Sequence, residues 1–321
     1  MADVEGVGLC RRMTVCVKVV SLLPLVLGLC WSVLVRGMAA SPAAFKRVLV
    51  TGANKGIGRE ICRRILADVE DSYVILGSRS VERGEAAVRT LLEQEPASEG
   101  RLEMVQIDVE DDASVAAAVE TIVARHGADA PLYGLCNNAG IGFGHTIPET
   151  LSANFYSQVR VASAFVPLLN PETGRICNIA SASGPNYVRD LDGDLKALFT
   201  SKETTMEELD AELQRQSALT DYDGSAYGLS KAAVNIWTRA VLAPEHPNLK
   251  VNSCSPGYVL TDLTAGMGAT KKPEDSTCHV APLFLLFGEP EGNGRYYGSD
   301  AVRSPIDVYR GPGEPPYVAD D

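Results

Sequence analysis

Histidine is scarce in this chain, with four in 321 residues, and the eight cysteines form no C-x-x-C pair and stand at no zinc-ligand spacing from a histidine. That absence excludes a zinc ribbon or finger and a disulfide framework, and no metal is expected. Cations are also in deficit: 29 Lys and Arg face 41 Asp and Glu, a net charge of −12. A surface of that sign repels a phosphate backbone over most of its area, which excludes nucleic acid as a partner. Aromatic residues supply only 6%, yet hydrophobic residues reach 45% and charged ones 22%. These proportions exclude disorder and collagen, and they suit one large α/β domain or two small ones. Five cysteines beyond the first 45 residues, Cys62, Cys136, Cys177, Cys254 and Cys278, lie mostly in apolar runs. They read as isolated buried thiols in a reducing compartment.

Residues 1–47 hold six basic and two acidic residues, so a basic leader precedes an acidic remainder. Val19–Val35 carries no charge and is flanked by Arg11, Arg12, Lys18 and Arg36. It is longer than a usual signal core and near the lower limit of a membrane span. A cleaved secretory signal, with Met38-Ala39-Ala40-Ser41 as the cleavage region, and a retained anchor that tethers the chain through residues 19–35 both fit. The stretch Ala39–Phe45 also resembles the junction of bipartite plastid presequences. Translation from Met38 would delete the segment and leave a cytoplasmic protein. Residues 1–45 are therefore expected to be an address or a tether with no part in the chemistry.

Beyond the leader, short β-branched runs alternate with helical spacings of apolar residues. Strands are expected at Arg47–Thr51, Tyr73–Leu76, Leu102–Ile107, Leu132–Cys136, Arg175–Ile179 and Lys250–Cys254. Helices are expected at Ile57–Val69, Val81–Glu93, Ala113–Arg125, Ser152–Leu169 and Ser225–Val241. Such alternation requires crossover connections, which give a single Rossmann-type doubly wound parallel sheet with helices on both faces. Ligands then bind at the carboxyl ends of the strands, where the motifs below all fall.

The turn Thr51-Gly52-Ala53-Asn54-Lys55-Gly56-Ile57-Gly58 joins the first strand to the first helix. Glycines there let the backbone approach a pyrophosphate, and the helix N-terminus offers it free N–H groups. A dinucleotide is the expected occupant. The T-G-x-x-x-G-x-G spacing resembles that of the short-chain dehydrogenase/reductase family. The second strand ends in Leu76-Gly-Ser-Arg79, with no carboxylate for a ribose 2′-hydroxyl. Arg79 and Lys55 instead favour a 2′-phosphate, and so NADPH over NADH. The resemblance further implies an adenine-binding pair in Asp108 and Val109. It implies a cofactor-bordering element in Asn137, Asn138, Ala139 and Gly140, where Asn138 either braces the sheet or touches the cofactor. Pro256, Gly257, Val259 and Thr261 match the family's nicotinamide-side element.

Tyr227 and Lys231 stand four apart on one helical face, and the lysine ammonium is expected to lower the pKa of a phenol that otherwise titrates near 10. By resemblance, Tyr227 is the acid/base of hydride transfer to a carbonyl and Lys231 also holds the nicotinamide ribose. Ser181 hydrogen bonds the substrate oxygen, with Ser183 as the alternative, and Asn154 is the helix asparagine that holds a water linking Lys231 to solvent. The implied activity is NADPH-dependent reduction of a ketone, aldehyde or quinone. The other reading is a catalytically silent NADP-binding regulator or a membrane-tethered interaction protein, and the intact Ser181, Tyr227 and Lys231 argue against it. Pocket walls are expected from Ile141–Thr146, Tyr187 and Tyr258–Met267.

The family likeness covers about 46–300, and 301–321 reads as a polar tail. Two features depart from the common pattern. Between Ser181 and Tyr227 lie 45 residues, an insertion at about 187–222, in which Thr205 and Glu208 form a capping box and Met206, Leu209 and Leu213 share a face. The insertion resembles that of the family's monomeric carbonyl reductases, so a monomer is expected. Only 13 residues link Gly140 to Asn154, which leaves little room for a full helix start and opens the substrate side.

Overall fold

A computed structural model of the protein describes residues 45–219 and 225–318. The leader, with its candidate signal or anchor at Val19–Val35, lies outside the described residues. Among those described, no helix is long and apolar enough to cross a membrane.

Eight strands form one sheet in the order β3-β2-β1-β4-β5-β6-β7-β8. They are β1 (Lys46–Val50), β2 (Ser72–Ser78), β3 (Leu102–Gln106), β4 (Gly134–Asn137), β5 (Arg175–Ile179), β6 (Lys250–Cys254), β7 (Tyr296–Tyr297) and β8 (Arg303–Ser304). All pairs are parallel except β7 with β8. The central strands are buried on both faces, so their apolar residues do not alternate with exposed polar ones. Period-two side-chain direction then divides each strand between two cores. Leu49, Ile75, Leu135, Ile176 and Val251 join α3 (Asp112–His126) and the helices that carry the candidate site residues. Val48, Val50, Val74, Leu76 and Ile179 join α1 (Gly56–Asp68), α2 (Val81–Gln94) and α11 (Val280–Phe287) on the other face. This is the doubly wound arrangement expected from the alternation.

Four local expectations are corrected. The helix predicted at Ser152 starts earlier, as α4 (Ile147–Leu151), because Thr146 and Glu149 form a capping box with Pro148 in the first turn. The short link therefore does hold a helix start, and a π-helical turn (Ser152–Tyr156) carries the chain into α5 (Ser157–Phe165). The segment from residue 301 is no free tail: it supplies β8, buries Ile306, and buries Arg310 against Asp300 at 2.6 Å. The cysteines are buried and free as expected, but they are not isolated. Cys136 pairs with Cys177 across neighbouring strands, and Cys177 Sγ lies 3.7 Å from Cys254 Sγ.

The insertion forms α6 (Ser183–Arg189), α7 (Gly193–Thr200) and α8 (Met206–Ser217). The capping box at Thr205 and Glu208 is present, Leu209 and Leu213 are fully buried, and Met206 packs against the same core. Tyr156, on the π turn, donates its hydroxyl to Asp210 at 2.6 Å, and Gln214 donates to that hydroxyl. The inserted helix thus lies across the start of the α4–α5 run. It also meets the π turn Trp237–Leu242 that extends α9 (Ala226–Ile236).

Candidate active site

The glycine turn after β1 is built by close approach. Gly52 and Gly56 have φ of +64° and +59°, in the left-handed region that favours glycine. A Cβ on Gly52 would lie 2.8 Å from Ala139 Cα, and one on Gly58 would lie 2.4 Å from Asn138 Nδ2. Thr51 Oγ1 accepts from the backbone N–H of Asn138 and Ala139 at 3.0 and 3.1 Å, while Asn138 Nδ2 donates to Thr51 O at 2.9 Å. Asn138 therefore braces the turn, the structural one of its two expected roles. No side chain caps the start of α1, which follows Lys55, so that end keeps the character of an anion site.

Arg79 is exposed just after β2. Asp108 and Val109 follow β3; Asp108 Oδ1 accepts from Glu110 N at 3.2 Å. Beyond β6, Pro256 and Val259 are buried and Gly257 has φ of +87°. Thr261 Cγ2 lies 3.6 Å from where a Cβ on Gly56 would be, which brings this element against the phosphate turn. Lys55 is placed differently from the expectation: its ammonium is ion-paired with the carboxylate of Asp262. Asn54 and Ile57 are half-buried in the turn itself.

The catalytic candidates converge at the ends of β4 and β5. Gly184 in α6 and Gly228 in α9 let the two helices touch: a Cβ on Gly184 would stand 3.0 Å from Lys231 O, and one on Gly228 would stand 3.0 Å from Tyr187 Cβ. This contact sets Ser181 beside Tyr227, where its hydroxyl favours the phenolate; Ser181 Oγ donates to Ser183 Oγ at 3.4 Å. Ser183, the alternative, is turned to Ser181 instead, its N–H donating to Ser181 Oγ at 3.2 Å. Lys231 is buried, donates from Nζ to Ile179 O at 3.0 Å, and lies 5.6 Å from the centre of the Tyr227 ring. Asn154, on the π turn, is fully buried: it accepts from Ile141 N at 2.7 Å and donates to Ile141 O and Ser230 Oγ. A Cβ on Gly140 would lie 2.6 Å from Asn154 Oδ1 and 3.9 Å from Lys231 Nζ, so these three positions share one corner of the site.

The electrostatics correct one expectation. Burial pushes the Tyr227 phenol above its ordinary pKa, with the Ser181 hydroxyl working the other way. Lys231 is itself brought down to about 8 by burial. Desolvation disfavours the charged form of each group, and in the protein alone it outweighs the expected pull of the ammonium on the phenol.

Sequence reasoning named the loop 141–146 but not Phe143, whose ring centre lies 4.5 Å from that of Tyr227 with 42% of the residue exposed. It also missed Asp262, because nothing local marks a partner 207 residues from Lys55. Tyr187 is half-buried against α9, and Tyr258, Leu263 and Met267 are exposed on the loop after β6. A groove of about 760 Å³ between α2, α3 and β3 lies elsewhere and holds none of the catalytic candidates.

A doubly wound sheet with a phosphate-type glycine turn and a Ser–Tyr–Lys constellation at its strand ends defines a dinucleotide-dependent oxidoreductase class. Residues 46–191 match the short chain dehydrogenase family model. The (+)-neomenthol dehydrogenase of Arabidopsis thaliana is 34% identical over 293 residues, covering 79% of this chain and 96% of that protein. The NADPH carbonyl reductase 1 of Homo sapiens is 32% identical over 271 residues, covering 77% and 92%. Among solved structures, salutaridine reductase from Papaver somniferum superposes with a TM-score of 0.67 at 26% identity, covering 78% of this chain and 99% of that one. The chain belongs to the short-chain dehydrogenase family, whose members bind NAD(P), and it has carbonyl reductases among its relatives.

Proposed function

We propose that the protein is an NADPH-dependent carbonyl reductase that converts a ketone, aldehyde or quinone to the alcohol. The observation that carries this reading is the convergence of Ser181 and Tyr227, both half-buried, with the buried Lys231 at one corner of the site. The glycine turn supports the cofactor: at Gly52 and Gly58 a side chain would collide with Ala139 and Asn138, and α1 opens without a side-chain cap. Gly52, Asn54, Gly56, Ile57 and Gly58 would cradle the pyrophosphate, and Arg79 with Lys55 would meet the 2′-phosphate. Asp108 and Val109 would flank the adenine, with Ala139 and Gly140 beside the ribose. Pro256, Gly257, Val259 and Thr261 would hold the nicotinamide side. When bound, the cofactor supplies the hydride.

The chain's own residues handle the proton. A raised pKa keeps Tyr227 protonated at neutral pH, the form a reduction needs, since the phenol must give its proton to the developing alkoxide oxygen. Ser181 would donate a hydrogen bond to that oxygen. The Lys231 ammonium stabilises the phenolate left behind. Asn154 acts one step removed, by fixing the Ile141 backbone and Ser230 next to Lys231. The same intact set argues against a silent NADP-binding regulator. The inserted α8 also supports a monomer, because it occupies the helical face beside Tyr156.

The test is to mix the protein with NADPH or NADH and a panel of ketones, aldehydes and quinones while following absorbance at the reduced nicotinamide band. NADPH oxidation that depends on both protein and carbonyl supports the reading. Tight NADPH binding without turnover across the panel would favour the regulator.

A further inference from the structure

Facing Lys231 are the Ile179 carbonyl from the end of β5, Gly140 from the turn after β4, Gly184 from α6, Asn154 by way of Ser230, and Tyr227 from its own helix. Of these only the Tyr227 phenol titrates. Burial alone displaces the lysine's pKa, so no carboxylate offsets the desolvation of its ammonium. The Ile179 carbonyl, however, has a second donor. Gln158, at the start of α5, is 2% exposed and donates from Nε2 to the same oxygen at 3.3 Å, against 3.0 Å for Lys231 Nζ. A carbonyl can only accept, which fixes the orientation of the amide: Nε2 faces Ile179 O, and Oε1 is left buried with no partner among the described residues. An unpaired buried acceptor costs stability, so this amide is a poor choice for packing alone. An apolar side chain of the same length would fill the space and leave Ile179 O bonded to Lys231.

We propose that Gln158 is a positioning residue for Lys231: by sharing the Ile179 carbonyl it weakens the hold of that carbonyl on the ammonium, which leaves the ammonium freer to serve the Tyr227 phenolate. The inference rests on the reading above, in which the Lys231 ammonium stabilises that phenolate. Two effects act with the same sign. The oxygen is divided between two donors, and the positive end of the amide dipole lies across it from the ammonium. Both disfavour the charged form of the lysine, the direction in which burial already takes it. A dipole at this range is a modest influence, about half a pH unit or roughly threefold in the protonation equilibrium. Lys231 keeps the shorter bond, so the amide adjusts the ammonium without displacing it. Asn154 and Gln158 thus bracket the lysine from one helical run, the first through Ser230 and the second through Ile179 O.

The test follows the Lys231 titration by NMR on the whole protein with its lysines isotope-labelled at Cε, using Lys231→Met as the blank that assigns the signal. The variants are Gln158→Met and Gln158→Glu. Met is close in length and removes the unpartnered oxygen; Glu, once ionised, cannot donate to Ile179 O and adds an attracting charge. With the parent's midpoint near pH 8, we expect it to rise by about half a pH unit in Gln158→Met and further in Gln158→Glu. The basic limb of the kcat profile for carbonyl reduction should move up with it. At pH 7, kcat of Gln158→Met should fall about two- to threefold while its stability is retained or improved. An unmoved or lowered midpoint in both variants overturns the sharing of the carbonyl. A raised midpoint with an unmoved limb and unchanged kcat overturns its service to the reaction. If the parent reduces no carbonyl, it is the reading above that falls, and the titration still decides whether Gln158 acts on Lys231.

Discussion

Gly184 lies against the main chain of Lys231, so closely that a Cβ there would stand 3.0 Å from both the carbonyl carbon and the oxygen. The contact locks α6 to α9 and carries Ser181 to Tyr227. Gly184→Val should force the helices apart, at a cost of about 1–3 kcal/mol for an overpacked core position. We expect the melting temperature to fall by several degrees and kcat to fall by more than stability accounts for, because the placement of Ser181 beside Tyr227 is lost with the spacing. Calorimetry paired with steady-state kinetics checks this; a stable variant with full kcat would show that the helices give way without disturbing the pair.

Tyr227→Phe removes the proposed proton donor and keeps the ring that packs on Phe143. General acid catalysis contributes about 10²- to 10⁴-fold, so carbonyl reduction should fall by that order while NADPH affinity, read by fluorescence titration, stays within about twofold. Retention of most of kcat would require another acid.

Lys231 offers a test with the sign fixed by burial. Its folded pKa, about 8, lies below the ordinary 10.5, so the folded state carries the cost of a buried ammonium at every pH below about 8. That cost, on the order of 3 kcal/mol, fades as pH rises from about 8 toward 10.5, where the unfolded chain loses its proton as well. Lys231→Met should therefore make the cofactor-free protein more stable than the parent at pH 7, with the advantage shrinking at higher pH, while activity is lost. Ile179 O keeps a donor in Gln158 Nε2 at 3.3 Å, so the substitution leaves no orphaned carbonyl. Urea unfolding of both proteins from pH 6.5 to 10 measures the difference, and a variant less stable than the parent at pH 7 contradicts the account.

What could be read from the sequence divides along the range of the interaction. The glycine turn, the Tyr227–Lys231 pair and the capping box at Thr205 and Glu208 are local, and each appears where its spacing puts it. The strands β7 and β8, two residues each, carry no periodicity to detect. The stretch 301–321 reads as a polar tail because Arg310's partner Asp300 and the buried Ile306 matter only once β8 has turned the chain back. Burial raises the Tyr227 pKa against the lowering expected from Lys231, because adjacency in a helix is legible in a sequence and burial is not. Asp262 is the same failure at the longest range, since only the folded loop brings it to Lys55.

Arg79 is exposed after β2 and, unlike Lys55, has no ion pair among the described residues, so it is the cation most available to a 2′-phosphate. Losing a charge-assisted contact costs about 1.5–3 kcal/mol, so Arg79→Ala should weaken NADPH binding by roughly ten- to hundredfold and spare NADH. Equal losses for both dinucleotides would remove Arg79 from the phosphate site.

The inserted helix decides the oligomeric state. Leu209 and Leu213 are spent on the protein's own core, and Asp210 ties the helix to Tyr156, so the face beside the π turn is already covered from within the chain. Obligate dimers commonly bury about 2,000 Å² or more, and a surface occupied by α8 cannot supply that area to a partner as well. Light scattering on protein beginning at Met38 should give the mass of one chain at micromolar concentration. Replacing Leu213 by Ala should cost about 2–5 kcal/mol if the helix is part of the cooperative core, and far less if it is a loosely held appendage. A stable dimer whose Leu213→Ala variant unfolds like the parent would place α8 away from the α4–α5 surface and leave that surface open for pairing.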